Sequence, residues 1–161
     1  MPASPLELVL LIGLQGAGKS TFRRKFFDAT HTVVSKDLLI NNRRPQRRQL
    51  QLINEALKQG ASVVVDNTNP RVEDRAALIE VAGQYGARVR GFYLHCSVET
   101  SQARNALRVG RERVTDIGIF ATAKVLRRPS RAEGFDELYY VRTTLTGEFA
   151  VEEYREESDE S

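Results

Sequence analysis

Residues Gly13-Leu14-Gln15-Gly16-Ala17-Gly18-Lys19-Ser20, followed by Thr21, have the spacing G-x-x-x-x-G-K-[ST]. A loop of this pattern binds the phosphates of a nucleoside triphosphate. Glycines at 13, 16 and 18 let the backbone curl until its N–H groups face phosphate oxygens. A helix beginning near Gly18 adds the positive end of its dipole. Lys19 carries a point charge to the β- and γ-phosphates, and the Ser20 hydroxyl is a ligand for Mg2+. Gly13, Gln15, Gly16, Ala17, Gly18, Lys19, Ser20 and Thr21 are therefore the expected donor site, with ATP or another nucleoside triphosphate and Mg2+ as cofactors.

Three further clusters have types suited to phosphoryl transfer. In Ser35-Lys36-Asp37, the carboxylate of Asp37 can accept a proton from an attacking hydroxyl and align it for in-line displacement. An Asp here also suits a helix cap, and the two roles are compatible. In Asp66-Asn67-Thr68-Asn69-Pro70, Asp66 closes an apolar run and is placed to hold Mg2+ or orient Ser20, while Asn69 reads as a helix cap before a first-turn proline. Arg104 and Arg108 are four apart, hence on one helix face, followed by Arg111 and Arg113. Like charges so placed repel unless an anion lies between them, which suits a lid closing over phosphates. Arg43-Arg44-Pro45-Gln46-Arg47-Arg48 follows Asp37 directly, where an acceptor carrying its own phosphates could pair with guanidinium groups.

The elements that must position these residues follow from hydropathy. Apolar runs at Glu7–Ile12, Thr32–Ser35, Ala61–Asp66, Arg88–His95 and Leu138–Val141 read as strands, the first buried on both faces. Between them, Gly18–Asp28, Arg47–Gln59, a stretch from Asn69 to about Gln84, one after Ser97 and Asp116–Leu126 read as helices. Strands alternating with helices predict an α/β fold: a parallel, about five-stranded sheet with helices on both faces and an arginine-bearing lid. In such a sheet the polar residues at the strand C-termini share one ligand face.

The 161 residues predict one domain, 1–147, and an acidic, disordered tail, 148–161. That tail holds seven of the 21 acidic residues and one of the 24 basic ones, so the body carries a basic excess, a footprint compatible with nucleic acid. No apolar run is long enough to span a membrane, and the N-terminus lacks the charge and cleavage pattern of a signal peptide. The expectation is a cytoplasmic protein, or a nuclear one in a eukaryote. Cys96 stands alone, which excludes an intramolecular disulfide and suggests packing. His31 and His95 have no metal-ligand spacing and read as structural.

With these residues in view, the chain resembles the 5′-hydroxyl polynucleotide kinases, most nearly the kinase module of the animal-type polynucleotide kinase/phosphatases. Beyond the phosphate loop, the likeness rests on Ser35-Lys36-Asp37, Leu57-Lys58-Gln59-Gly60, Val65-Asp66-Asn67-Thr68-Asn69-Pro70 with Arg75, Ala103-Arg104 with Arg108, and Pro129–Phe135. The resemblance implies transfer of the ATP γ-phosphate to the 5′-OH of DNA or RNA. It makes Asp37 the general base, and Lys19, Arg104 and Arg108 the phosphate-contacting cations. Asp66, Asn67 and Thr68 become the floor between two substrates, Arg75 joins the substrate-binding group, and Pro129–Phe135 lies near the adenine. Phage-type members grip the acceptor's 3′ phosphate with an Arg three residues after the base; here that position is Ile40, with Arg43 or Arg44 as substitutes. No Asp-x-Asp-x-Thr/Val phosphatase signature is present, so a phosphatase or ligase partner, if any, is expected on another chain or in a part left out of this one. The alternatives are a small-molecule kinase of the same fold and a P-loop ATPase switch that binds nucleic acid or a partner.

Overall fold

The computed structural model describes residues 5–39, 41–110, 113–143 and 147–156, without the side chains of Asp37 and Leu38. Six strands form one sheet in the order β2-β3-β1-β4-β5-β6. They are β1 (Glu7–Ile12), β2 (Thr32–Val34), β3 (Val63–Asp66), β4 (Arg88–Leu94), β5 (Glu137–Thr143) and β6 (Phe149–Glu153). The helices are α1 (Lys19–Phe26), α2 (Pro45–Lys58), α3 (Val72–Gln84), α4 (Val98–Ala106) and α5 (Asp116–Val125). The first five strands run parallel and β6 is antiparallel to β5.

β1 is the middle of this arrangement, paired with β3 on one side and β4 on the other. All six of its residues are buried, so it reads as a continuous apolar run rather than an alternating one. Its side chains alternate between two cores. Leu8, Leu10 and Ile12 join Ile53, Leu57, Leu78 and Ala82 of α2 and α3. Val9 and Leu11 join Phe22 of α1, Phe92 and Val141. Phe22 is the hub of the second core, with ring centroids 5.3 Å from Phe92 and 5.2 Å from Phe149.

Three sequence expectations change. The sheet does not end at five strands: residues 149–153, assigned to an acidic tail from 148, form β6 along the edge of β5. Tyr154 follows it into the first core with 2% exposure, and residues 157–161 lie outside the described residues. Asn69 does not cap α3; the cap is Arg71, and Asn69 instead turns its backbone to φ 45° and donates from Nδ2 to Leu11 O at 2.7 Å. A buried carbonyl at the strand end needs that donor, which outweighs the local cap preference. Finally, α2 starts at Pro45, whose fixed φ suits the first turn of a helix. Among the described residues no helix is long and apolar enough to cross a membrane.

Candidate active site

The glycine-rich loop joins the C-terminal end of β1 to the N-terminus of α1, as its pattern requires. Gly13 is confined by contact: a Cβ there would stand 2.5 Å from the carbonyl oxygen of Leu94 on β4. Its N–H donates to Thr68 O at 3.1 Å, which ties the loop to the end of β3. Lys19 is buried, and its Nζ donates to Gly13 O at 2.9 Å and Leu14 O at 2.8 Å. Gln15 Nε2 donates to Thr122 Oγ1 of α5 at 3.0 Å. Gly16, Ala17 and Gly18 complete the turn, with Gly18 capping α1, and Ser20 and the exposed Thr21 lie in the first turn of that helix. Phe149 of β6 lays its ring against Gly18.

Beside the loop, Ser20 Oγ donates to Asp66 Oδ2 at 2.8 Å. Arg23 Nη1 donates to the same oxygen at 2.9 Å, and Arg23 Nε donates to Asp28 Oδ1 at 2.9 Å. Ser20 and Asp66 thus present two hard oxygen donors at the rim of the phosphate loop. That set fits Mg2+, which takes one or two protein oxygens and completes its shell with water and substrate phosphates. Among the described residues no group of three His, Cys, Asp or Glu is placed to hold a metal.

On the β2 side, the 3-10 turn Lys36–Leu39 follows β2 directly. Asn67 Oδ1 accepts from Lys36 N at 2.8 Å, and Asn67 Nδ2 donates to the buried Gln49 of α2 at 2.5 Å. This chain of bonds fastens the turn carrying Asp37 to the end of β3, one residue from Asp66. Arg43, Arg44 and Arg47 are exposed at the start of α2, while Arg48 turns along the helix toward Gln51 and Glu55. Ile40 and Arg111 lie outside the described residues.

The lid side differs from its expectation. Ser97 caps α4, but α4 ends at Ala106, so Arg108 lies beyond it and does not share a helix face with Arg104. Asn105 explains the stop: its Nδ2 donates to Val114 O at 2.6 Å and its Oδ1 accepts from Val114 N at 2.9 Å, closing the loop that follows. Arg104 Nη1 donates to Gly16 O at 3.0 Å, and Ser101 Oγ donates to Gln15 O. Cys96 sits near Arg104 and Lys19; burial pushes its thiol up, against the opposing pull of both cations.

Arg75, expected in the substrate-binding group, has 0% exposure. It grips Glu133 through Nε at 2.8 Å and Nη2 at 3.1 Å, and Nη1 donates to Asn69 O at 3.0 Å and Arg127 O at 3.1 Å. A guanidinium with its donors spent inside the protein cannot reach a substrate, so Arg75 is an internal clip between α3 and the 127–135 segment. Phe135 of that segment is buried in the first core.

The family model of the AAA domain matches residues 8–129. The chain belongs to that family. This AAA domain is 29% identical over 133 residues to the bifunctional polynucleotide phosphatase/kinase of Schizosaccharomyces pombe, covering 80% of this chain and 32% of that protein. It is 28% identical over 156 residues to transcription factor bHLH140 of Arabidopsis thaliana, covering 91% of this chain and 17% of that protein. The chain therefore spans well under half of either curated relative. Among solved structures, a gluconokinase from Sinorhizobium meliloti superposes with TM-score 0.64 at 22% identity, covering 88% of this chain and 84% of that one. The AAA domain thus has a P-loop kinase fold.

Two groups in this AAA domain went unread in the sequence. Arg23 lies three residues after Ser20, one turn along α1, and that spacing was the available signal. Ser101 lies three before Arg104 on α4, and its bond to a residue far away in the chain left no local trace.

Proposed function

We propose that the chain is a polynucleotide 5′-hydroxyl kinase that transfers the γ-phosphate of ATP, or another nucleoside triphosphate, to the 5′-OH end of DNA or RNA. The observation that carries this reading is the Lys36–Asn67–Gln49 chain of bonds, which brings the turn bearing Asp37 alongside the Ser20–Asp66 pair. A general base must stand within reach of the hydroxyl it deprotonates while the γ-phosphate lies in line beyond it. The exposed arginines at 43, 44 and 47 continue from the same turn, where the phosphates of an acceptor strand would run. The 29% identity to a polynucleotide phosphatase/kinase supports the same acceptor.

On this reading the amides of residues 16–21 bind the donor phosphates, and Lys19 swings from its two carbonyls to the β/γ-oxygens. Ser20 and Asp66 would hold Mg2+, which when bound would supply positive charge against the phosphates. Asp37 accepts the proton of the 5′-OH as its oxygen bonds to the γ-phosphorus and the β–γ bridge breaks, releasing ADP. Asn67 and Thr68 floor the space between donor and acceptor, and Arg108 steadies charge on the transferring group. The partner is a nucleic-acid end in the cytoplasm, or in the nucleus of a eukaryotic cell.

The deciding experiment transfers labelled γ-phosphate to short DNA and RNA strands ending in 5′-OH or 5′-phosphate. Label confined to 5′-OH ends is the expected result. No label on any strand, with ATP still bound, overturns the reading in favour of a small-molecule acceptor or an ATPase switch.

A further inference from the structure

Four consecutive carbonyls of the phosphate loop are each held by a side chain. Lys19 takes those of Gly13 and Leu14, Ser101 that of Gln15 and Arg104 that of Gly16. The last two donors belong to α4, so the lid-side helix is part of the wall of the phosphate cradle. In a trans peptide the C=O and N–H point in opposite directions. Holding the Gln15 carbonyl against α4 therefore turns the Gly16 amide away from α4, toward the inside of the loop. Ser101 has 0% exposure, and its backbone oxygen would stand 3.0 Å from a Cβ at Gly16, so helix and loop touch with no room for water between them. Without the hydroxyl, the part-buried Gln15 carbonyl loses its bond to α4, and nothing on that side holds the peptide against rotation.

We infer that Ser101 is a positioning residue for the donor phosphates, fixing the Gln15–Gly16 peptide so that the Gly16 amide faces the anion. The inference rests on the loop being the donor site, as proposed above, and is independent of the acceptor. It also divides the expected lid arginines. Arg104 acts with Ser101 on the loop's outer side, whereas Arg108 lies beyond the end of α4.

The test is titration of ADP, and separately of inorganic pyrophosphate, into the full chain. Ser101→Ala should weaken both ligands alike, by roughly tenfold, the cost of one lost hydrogen bond. Ser101→Thr, which keeps the hydroxyl, should restore most of that loss. Ser97→Ala removes the α4 cap without touching the loop; it should lower the melting temperature yet leave both affinities unchanged. Equal binding by Ser101→Ala and wild type overturns the inference, as does an equal loss in Ser97→Ala. Should Ser101→Ala not fold, the Gly16 amide resonance of the wild-type chain is the second measurement. A shift on adding pyrophosphate supports the inference and an unmoved resonance overturns it. A wild-type chain that binds neither ligand would instead overturn the donor-site reading itself.

Discussion

At the scale of single residues, the site divides its labour between groups that meet substrate and groups that hold those groups still. On the proposed reading, Asp37 belongs to the first kind. Asp37→Asn should lower phosphoryl transfer by at least about 100-fold, as loss of a general base does, with ADP affinity retained. Wild-type transfer in that variant would remove Asp37 from the mechanism. Asp66 joins both kinds, since one oxygen holds Ser20 and Arg23 together. Asp66→Asn should raise the Mg2+ concentration needed for half-maximal ADP affinity, while metal-free ADP binding changes little; titrations with and without Mg2+ check this. The phosphate loop was legible because its residues are contiguous and their spacing is itself the chemistry. Arg23 and Ser101 were not, because their partners lie 43 and 86 residues away and only the fold brings them together.

At the scale of elements, the Arg75–Glu133 clip is the joint between α3 and the segment that leads into β5. Arg75 is fully buried, so removing its partner leaves an uncompensated charge, a loss of about 3–5 kcal/mol. Glu133→Ala should therefore shift the urea midpoint sharply while leaving the KM for ATP near its original value in the folded fraction. The basic N-terminus of α2 makes the opposite prediction, a surface effect with little change in stability. Replacing Arg43, Arg44, Arg47 and Arg48 by Gln should raise the acceptor KM and flatten its dependence on salt, since fewer counterions are displaced. An unchanged salt slope would make this run a solvated surface. Helices and central strands were readable from apolar spacing, but β6 was not. Most of its residues are exposed and two are acidic, so nothing in Phe149–Glu153 advertises a strand until β5 is there to pair with it.

For the whole molecule, acid should loosen the end of the sheet opposite the active site. There Glu7 of β1 meets Arg90 at 2.7 Å and His31 at 3.6 Å. Burial opposes the charge on Glu7, but the hydrogen bond and charge of Arg90, helped by His31 and Arg88, hold its carboxyl below its usual 4.5. Burial also holds the His31 imidazole below its usual 6.5, against the pull of Glu7. Both folded values are depressed, so the unfolded chain takes up more protons and stability falls as pH is lowered. His31 contributes stability above pH 6.5 that is lost as acid carries it through its folded value; Glu7 adds a second loss below about 4.5. Melting temperatures from pH 7.5 to 4 should show both, and His31→Gln should remove the upper slope alone. The contact between Phe149 and Gly18 has a consequence in time. A ribosome adding roughly 5–20 residues per second releases the phosphate loop first, and the ring that walls it only after strands β2 to β5 have followed. Nascent chains halted before Phe149 should therefore display the nucleotide motif and yet hold ADP poorly, so that competence waits on the pairing of β6 with β5.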